Sequence, residues 1–252
     1  MDRIRTPALV ARLVDYGEAD RVCTLLARSH GKVSALARGA RRSRRRFGGA
    51  LSLFVVGEAT LRPPRRGELY GLERFDAVED LGSHIAEDVV KLGHGSYLLE
   101  LTRELWPAAQ PEPTAFDLLL AALRSLAGRP PAPALLRAYE LQLLGAVGLA
   151  PSLDRCVVCG LPPSGPVRIN VARGGVLCAG CGDGLPLAPA THQLLQQLQR
   201  APLHAAAALP ASVEAAREAR NVTLLVLRHV LGKDLRSVEF LLKMSSRLTV
   251  DR

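Results

Sequence analysis

The chain has 252 residues, 48% of them apolar, and a formal net charge of +9. That length allows one or two domains with a substantial core, and no run of eighteen uncharged apolar residues exists to span a membrane. The charge is concentrated: nine arginines stand between Arg38 and Arg66 against the single acid Glu58, a net +8, whereas residues 81–155 carry six basic and eight acidic side chains. Charge gathered in one segment predicts a surface that faces a polyanion.

Residues 1–80 read as five short strands. The first holds Ala8, Val10 and Leu13-Val14 and ends at the turn Tyr16-Gly17-Glu18-Ala19-Asp20. Arg21–Arg28 is rich in Val, Thr and Leu, and Lys32–Arg38 alternates Val33, Ala35 and Ala37 with Lys32, Ser34 and Leu36. Leu51–Leu61 and Glu68–Ala77 follow, separated by the turn Pro63-Pro64-Arg65-Arg66-Gly67. Five strands punctuated by glycine in so short a span predict a closed barrel of the oligonucleotide-binding type. Cys23, alone in an apolar run, is expected to be a small buried hydrophobe.

Between the third and fourth strands lies Arg41-Arg42-Ser43-Arg44-Arg45-Arg46-Phe47-Gly48-Gly49. Like charges this dense favour a loop. The plain readings are a solvated segment or a localisation tag; the functional one is contact with nucleic acid, because Lys32, Arg38, Arg62, Arg65 and Arg66 can flank it on the same barrel. Arginine pairs with phosphate through two parallel hydrogen bonds and stacks on bases. Tyr16, Phe47, Phe54, Tyr70 and Phe75 are the available rings. Phe54 is assigned to the core, and Phe47, beside the arginines, is the expected stacking ring.

From Ser83 the apolar period becomes helical, through Ile85, Val89, Leu92, Tyr97, Leu98, Leu101 and Leu105. Further helices are expected from Thr114 as cap, over Leu135–Val147, and at about 190–200, 212–231 and 234–247. The predicted architecture is α+β: a barrel domain over 1–80, then a helical domain over 81–252 with a zinc knuckle inserted at about 152–186.

That knuckle rests on Cys156-Val157-Val158-Cys159 and Cys178-Ala179-Gly180-Cys181, two Cys-x-x-Cys pairs eighteen residues apart. One such turn holds two sulfurs about 3.7 Å apart when each binds zinc at about 2.3 Å, and a second pair completes the tetrahedron. Four thiolates leave no open position, so the zinc is expected to be structural. The competing readings are two disulfides, which belong to small secreted chains, or a redox pair, which needs one Cys-x-x-Cys at a helix start. The charged opening Met1-Asp2-Arg3-Ile4-Arg5-Thr6-Pro7 does not read as an export signal, so reduced cysteines in the cytoplasm are expected. No catalytic constellation is found. Gly31-Lys32-Val33-Ser34 lacks phosphate-loop spacing, His-Glu-x-x-His is absent, and Glu87-Asp88 beside His84 reads as a solvated face.

These segments resemble the bacterial RecO family of recombination mediators. The resemblance is carried by Tyr16-Gly17-Glu18-Ala19-Asp20-Arg21, Gly31-Lys32-Val33, Arg38-Gly39-Ala40-Arg41-Arg42, by Leu149-Ala150-Pro151-Ser152-Leu153-Asp154-Arg155-Cys156, and by Leu235-Arg236-Ser237-Val238-Glu239-Phe240-Leu241. It implies a non-enzymatic DNA-repair protein of the bacterial cytoplasm, associated with the nucleoid. Such a protein binds single- and double-stranded DNA, anneals complementary strands and, with RecR, helps load RecA onto strands coated by single-stranded DNA-binding protein. Binding is expected from Arg41, Arg42, Arg44, Arg45 and Arg46, assisted by Lys32, Arg38, Phe47, Arg65 and Arg66. The acidic tail of single-stranded DNA-binding protein is expected on the final helix, at Arg236, Val238, Leu241, Leu242, Lys243 and Arg247, where the plain reading is an amphipathic core helix. The alternatives are a zinc-ribbon factor in transcription or RNA handling, and an enzyme, either a nuclease or a disulfide oxidoreductase.

Overall fold

The computed structural model describes residues 3–47 and 51–241. Five strands, β1 (Ile4–Tyr16), β2 (Asp20–Ala27), β3 (Gly31–Ala37), β4 (Val55–Arg62) and β5 (Tyr70–Asp80), close a barrel in the order β1-β2-β3-β5-β4. All pairings are antiparallel except β3 with β5, which meet in parallel at Ala35–Tyr70 and Leu36–Gly71 and close the sheet. Long β1 pairs with both β2 and β4, and a register shift between Val10 and Arg12 marks where it bends from one neighbour to the other. The α+β class and the five-stranded oligonucleotide-binding-type barrel are as expected.

Strand side chains alternate between faces, and the inward set here is unusually small: Ala8, Ala27, Ala35, Ala37 and Ala59 are all fully buried. The space they leave is filled by Leu25, Leu61, Phe75 and, from outside the strands, Phe47 and Leu51. Cys23 belongs to this core, as expected. Its Sγ donates to the Ala35 carbonyl at 3.2 Å, and burial pushes its thiol up to about 12.

The helical face expected from Ser83 is broken into α2 (Gly82–Ala86) and α3 (Val89–Leu105). Asp88 is the cause. Its backbone is extended, and its carboxylate accepts hydrogen bonds from Val90 N and Lys91 N, capping α3. The acid read as a solvated face is thus a helix start. The next helix, α4 (Pro113–Gly128), begins two residues earlier than expected, with Glu112 at the cap position and Pro113 opening the first turn. Thr114 is therefore no cap; proline's fixed φ starts the helix instead. These helices cluster with the barrel and with the chain from Leu235 into one compact unit. Within it Phe54 adopts a positive φ of 66° and reaches α3, where a Cβ at Gly95 would lie 2.9 Å from its ring.

Pro131–Asp234 form the second unit. It contains α5 (Pro133–Ala146), a three-stranded sheet of β6 (Val167–Asn170), β7 (Gly175–Cys178) and β8 (Leu185–Leu187) in the order β7-β6-β8, then α6 (Pro189–Arg200), α7 (Leu203–Ala206) and α8 (Val213–Leu231). The short α7 was not expected from the sequence. No helix among the described residues is long and apolar enough to cross a membrane.

Candidate nucleic-acid interface and metal centre

The arginine-rich segment is a folded corner. After β3 the chain turns at Gly39, whose N–H donates to the Asp20 carboxylate at 2.7 Å, and Arg41 N donates to the Ala19 carbonyl. A single helical turn, α1 (Arg44–Phe47), follows where like charge predicted a loop. Acids of the β1–β2 turn offset part of the repulsion: Asp15 pairs with Arg21 at 2.9 Å and Arg41 at 3.9 Å, and Glu18 with Arg42 at 3.7 Å. Arg46 donates to the Arg38 carbonyl and lies 5.1 Å over the Phe47 ring. Arg44 and Arg45 lie on α1, their side chains outside the described set.

Phe47 itself is only 2% exposed and packs in the barrel core. The expectation that it stacks on bases is corrected: its ring fills the volume that the alanines leave. The one signal for this in the sequence was that run of small inward residues, since an aromatic after five arginines otherwise suggests the surface. Tyr16, at the end of β1, is 61% exposed.

The remaining expected contacts divide by position. Arg38, Arg65 and Arg66 are exposed, the last two on the loop between β4 and β5. Lys32 lies on the outer side of β3 and donates through Nζ to the Arg103 carbonyl at 2.6 Å. A cavity of about 420 Å³ lies between Lys32 and that loop, with Thr24, Lys32 and Ser34 of the barrel facing Pro64, Gly67 and Glu68. On the final helical stretch, 236–241, Arg236 is exposed and Val238 half-buried, while Leu241 packs toward Gly93 of α3. Glu100 holds the start of that stretch, accepting from Arg236 N at 3.2 Å and Ser237 N at 2.8 Å. Leu242, Lys243 and Arg247 lie outside the described residues.

In the second unit the four cysteines converge. The first pair sits on a knuckle in which Cys156 N donates to the Leu161 carbonyl and Gly160 N to the Cys156 carbonyl, each at 2.9 Å, with Gly160 at a φ of 73°. Val157 N donates to the Val176 carbonyl, bringing that knuckle onto β7, whose last residue is Cys178. Cys181 N then returns to the Cys178 carbonyl at 3.0 Å. All four sulfurs lie within 4.8 Å of one another, and Cys159 and Cys178 are 3.9 Å apart. None forms a disulfide. Backbone donation, first from Cys159, holds the Cys156 thiol down at about 6, while the neighbouring sulfur of Cys159 pushes Cys181 up to about 12. Four thiol sulfurs gathered this closely form a donor set suited to a metal cation.

The preceding segment is anchored to α6. His192 Nε2 donates to the Leu153 carbonyl at 2.6 Å, Gln196 Nε2 to the same oxygen at 3.0 Å, and Gln199 Nε2 to the Pro151 carbonyl at 3.1 Å. Sequence reasoning did not find these ties, because the polar face of α6 looks like an ordinary solvated one.

The family model described as Recombination protein O N terminal matches residues 1–80, and the one described as Recombination protein O C terminal matches residues 86–239. Among curated relatives, "DNA repair protein RecO" of Anaeromyxobacter dehalogenans (strain 2CP-C) is 47% identical over 246 residues, covering 96% of each chain. The protein of that name from Myxococcus xanthus is 38% identical over 242 residues, covering 96% of this chain and 98% of its own. That of Geobacter sulfurreducens is 40% identical over 199 residues, covering 78% and 81%.

Proposed function

Because the chain belongs to the family of recombination protein O, RecO, we propose that it acts in the cytoplasm as a DNA-binding and strand-annealing mediator rather than as an enzyme. In this reading the barrel over 1–80 is the DNA-binding domain. The domain over 81–252 carries the knuckle and serves partners: RecR, single-stranded DNA-binding protein through its acidic tail, and RecA indirectly.

One observation carries the proposal. Lys32 lines one cavity with the loop that carries Arg65 and Arg66, and the cationic corner at 38–46 follows directly on β3, the strand that bears Lys32. Annealing needs two polyanions brought together while their bases stay free to pair. Arginines that hold phosphate through paired hydrogen bonds meet that need without reading sequence. Neutralising about six phosphates of a single strand gives a log–log salt slope of about −4.

Cys156, Cys159, Cys178 and Cys181 would hold one zinc ion, which when bound supplies a closed, structural tetrathiolate. The ties from α6 to Pro151 and Leu153 position the first knuckle for it.

The test is annealing of complementary strands coated with the cognate single-stranded DNA-binding protein, across a range of salt. The expected result is annealing that declines steeply with salt and is lost when Arg41, Arg42, Arg44, Arg45 and Arg46 are all replaced by alanine. Full DNA binding by that variant would move the interface off the barrel corner.

A further inference from the structure

Three carboxylates, Asp15, Glu18 and Asp20, stand where β1 turns into β2, and each meets the cationic corner. Backbone contacts dock the two segments. Asp20 accepts from Gly39 N at 2.7 Å, and Arg41 N donates to the Ala19 carbonyl at 3.0 Å. A guanidinium N–H of Arg41 also reaches the Glu18 carbonyl at 3.3 Å. The side chains of the same turn then face two guanidinium groups. Asp15 lies 3.9 Å from Arg41, and Glu18 lies 3.7 Å from Arg42. At these separations the charges attract without a direct hydrogen bond. The other basic groups read as phosphate contacts differ. Arg38, Arg65 and Arg66 make no ion pair among the described residues, while Lys32 and Arg46 donate to backbone carbonyls.

We propose that Asp15 and Glu18 are built-in competitors of DNA: their carboxylates hold Arg41 and Arg42 in place of phosphate and yield them when a strand arrives. The proposal rests on the DNA-binding reading above and adds what limits its strength. Carboxylate and phosphate make the same kind of pair with a guanidinium. An exposed pair is weak and exchanges readily, and the side chains of Arg42 and Glu18 are 74% and 94% exposed. Asp15 is itself fixed by Arg21 at 2.9 Å, so it keeps its place when Arg41 leaves. Each carboxylate that phosphate displaces takes up a cation from solution. That uptake offsets part of the counterion release that drives binding, so affinity and salt slope are both held down.

The test titrates the full chain with a labelled oligothymidine strand over a range of salt. Asp15→Asn and Glu18→Gln keep an acceptor oxygen and remove the charge. Together they are expected to tighten binding about fivefold at low salt and to steepen the log–log slope by about 0.7 per freed arginine. Glu87→Gln with Glu214→Gln removes two exposed acids elsewhere in the chain. That control is expected to leave affinity and slope close to the parent's. Added to Arg41→Ala with Arg42→Ala, the two turn substitutions are expected to change nothing further, because their partners are gone. Glu18→Gln alone, at a solvated position where folding is not at stake, should give about half the shift in slope. No tightening, equal tightening by the control, or equal tightening without Arg41 and Arg42 overturns the competition while leaving phosphate binding standing. Failure of the parent chain to bind the strand overturns the DNA-binding reading and the competition with it.

Discussion

Phe47 follows five arginines in sequence over seven positions, yet its ring lies among Ala37, Leu51 and the rest of the barrel core. Truncating a large buried ring costs about 3–5 kcal/mol, so Phe47→Ala is expected to lose stability of that order in urea denaturation. Its affinity for DNA, measured where the variant remains folded, should fall far less than that of the five-arginine variant. Cys23 makes a second prediction at this scale. Its folded thiol sits at about 12 against an ordinary 9.0, so unfolding releases a proton more easily than folding holds it. Its contribution to stability is complete below pH 9 and is lost as pH rises toward 12. Stability measured over that range should decline less in Cys23→Ala than in the parent.

At the scale of elements, close backbone approaches decide which pieces belong together. β3 begins at Gly31, where a Cβ would lie 2.3 Å from the Gln110 carbonyl oxygen and where φ is 73°. The loop after α3 is held there, with Ala109 N donating to the Lys32 carbonyl at 3.1 Å. A side chain at Gly31 meets backbone on one side and pays for a left-handed conformation on the other. Gly31→Ala is expected to cost at least about 1–3 kcal/mol from the backbone conformation alone, read as a lowered midpoint of thermal unfolding. Gly17→Ala is its control, since φ there is 60° but no atom lies within 4 Å of the added Cβ. The Gly31 variant should be the more destabilised of the two, by the cost of that clash.

For the whole molecule, the metal centre and the cationic corner fall in different compact units. Their losses should therefore be separable. One zinc per chain is expected by elemental assay, and chelation is expected to lower the melting temperature through the second unit. The phosphate contacts of the barrel should persist in the apo protein, seen as a salt-dependent DNA titration with an unchanged slope. Because thiolates and not thiols bind the ion, protons compete with it, and zinc release to a chromogenic chelator should rise as pH falls. Loss of DNA binding in a folded, zinc-free chain would make the metal centre part of the DNA interface.

Local spacing along the chain was sufficient for the five strands, the four-cysteine cluster and the buried Cys23, because each depends on periodicity or on neighbours a few residues away. The family was legible in the same way, from short runs such as Tyr16–Arg21 and Leu149–Cys156. Two features depended on contacts between distant residues, and a third on a local cap that apolar periodicity does not show. Phe47 turned inward because alanines on four different strands left room for it. The helical face from Ser83 broke where Asp88 satisfied backbone N–H groups that a continuous helix would have bonded itself. The chain from Leu235 rejoined the first compact unit, where Glu100 and Gly93 of α3 receive residues 236–241. Burial and backbone hydrogen bonding are settled by what the rest of the chain brings alongside, and only the tertiary structure decides that.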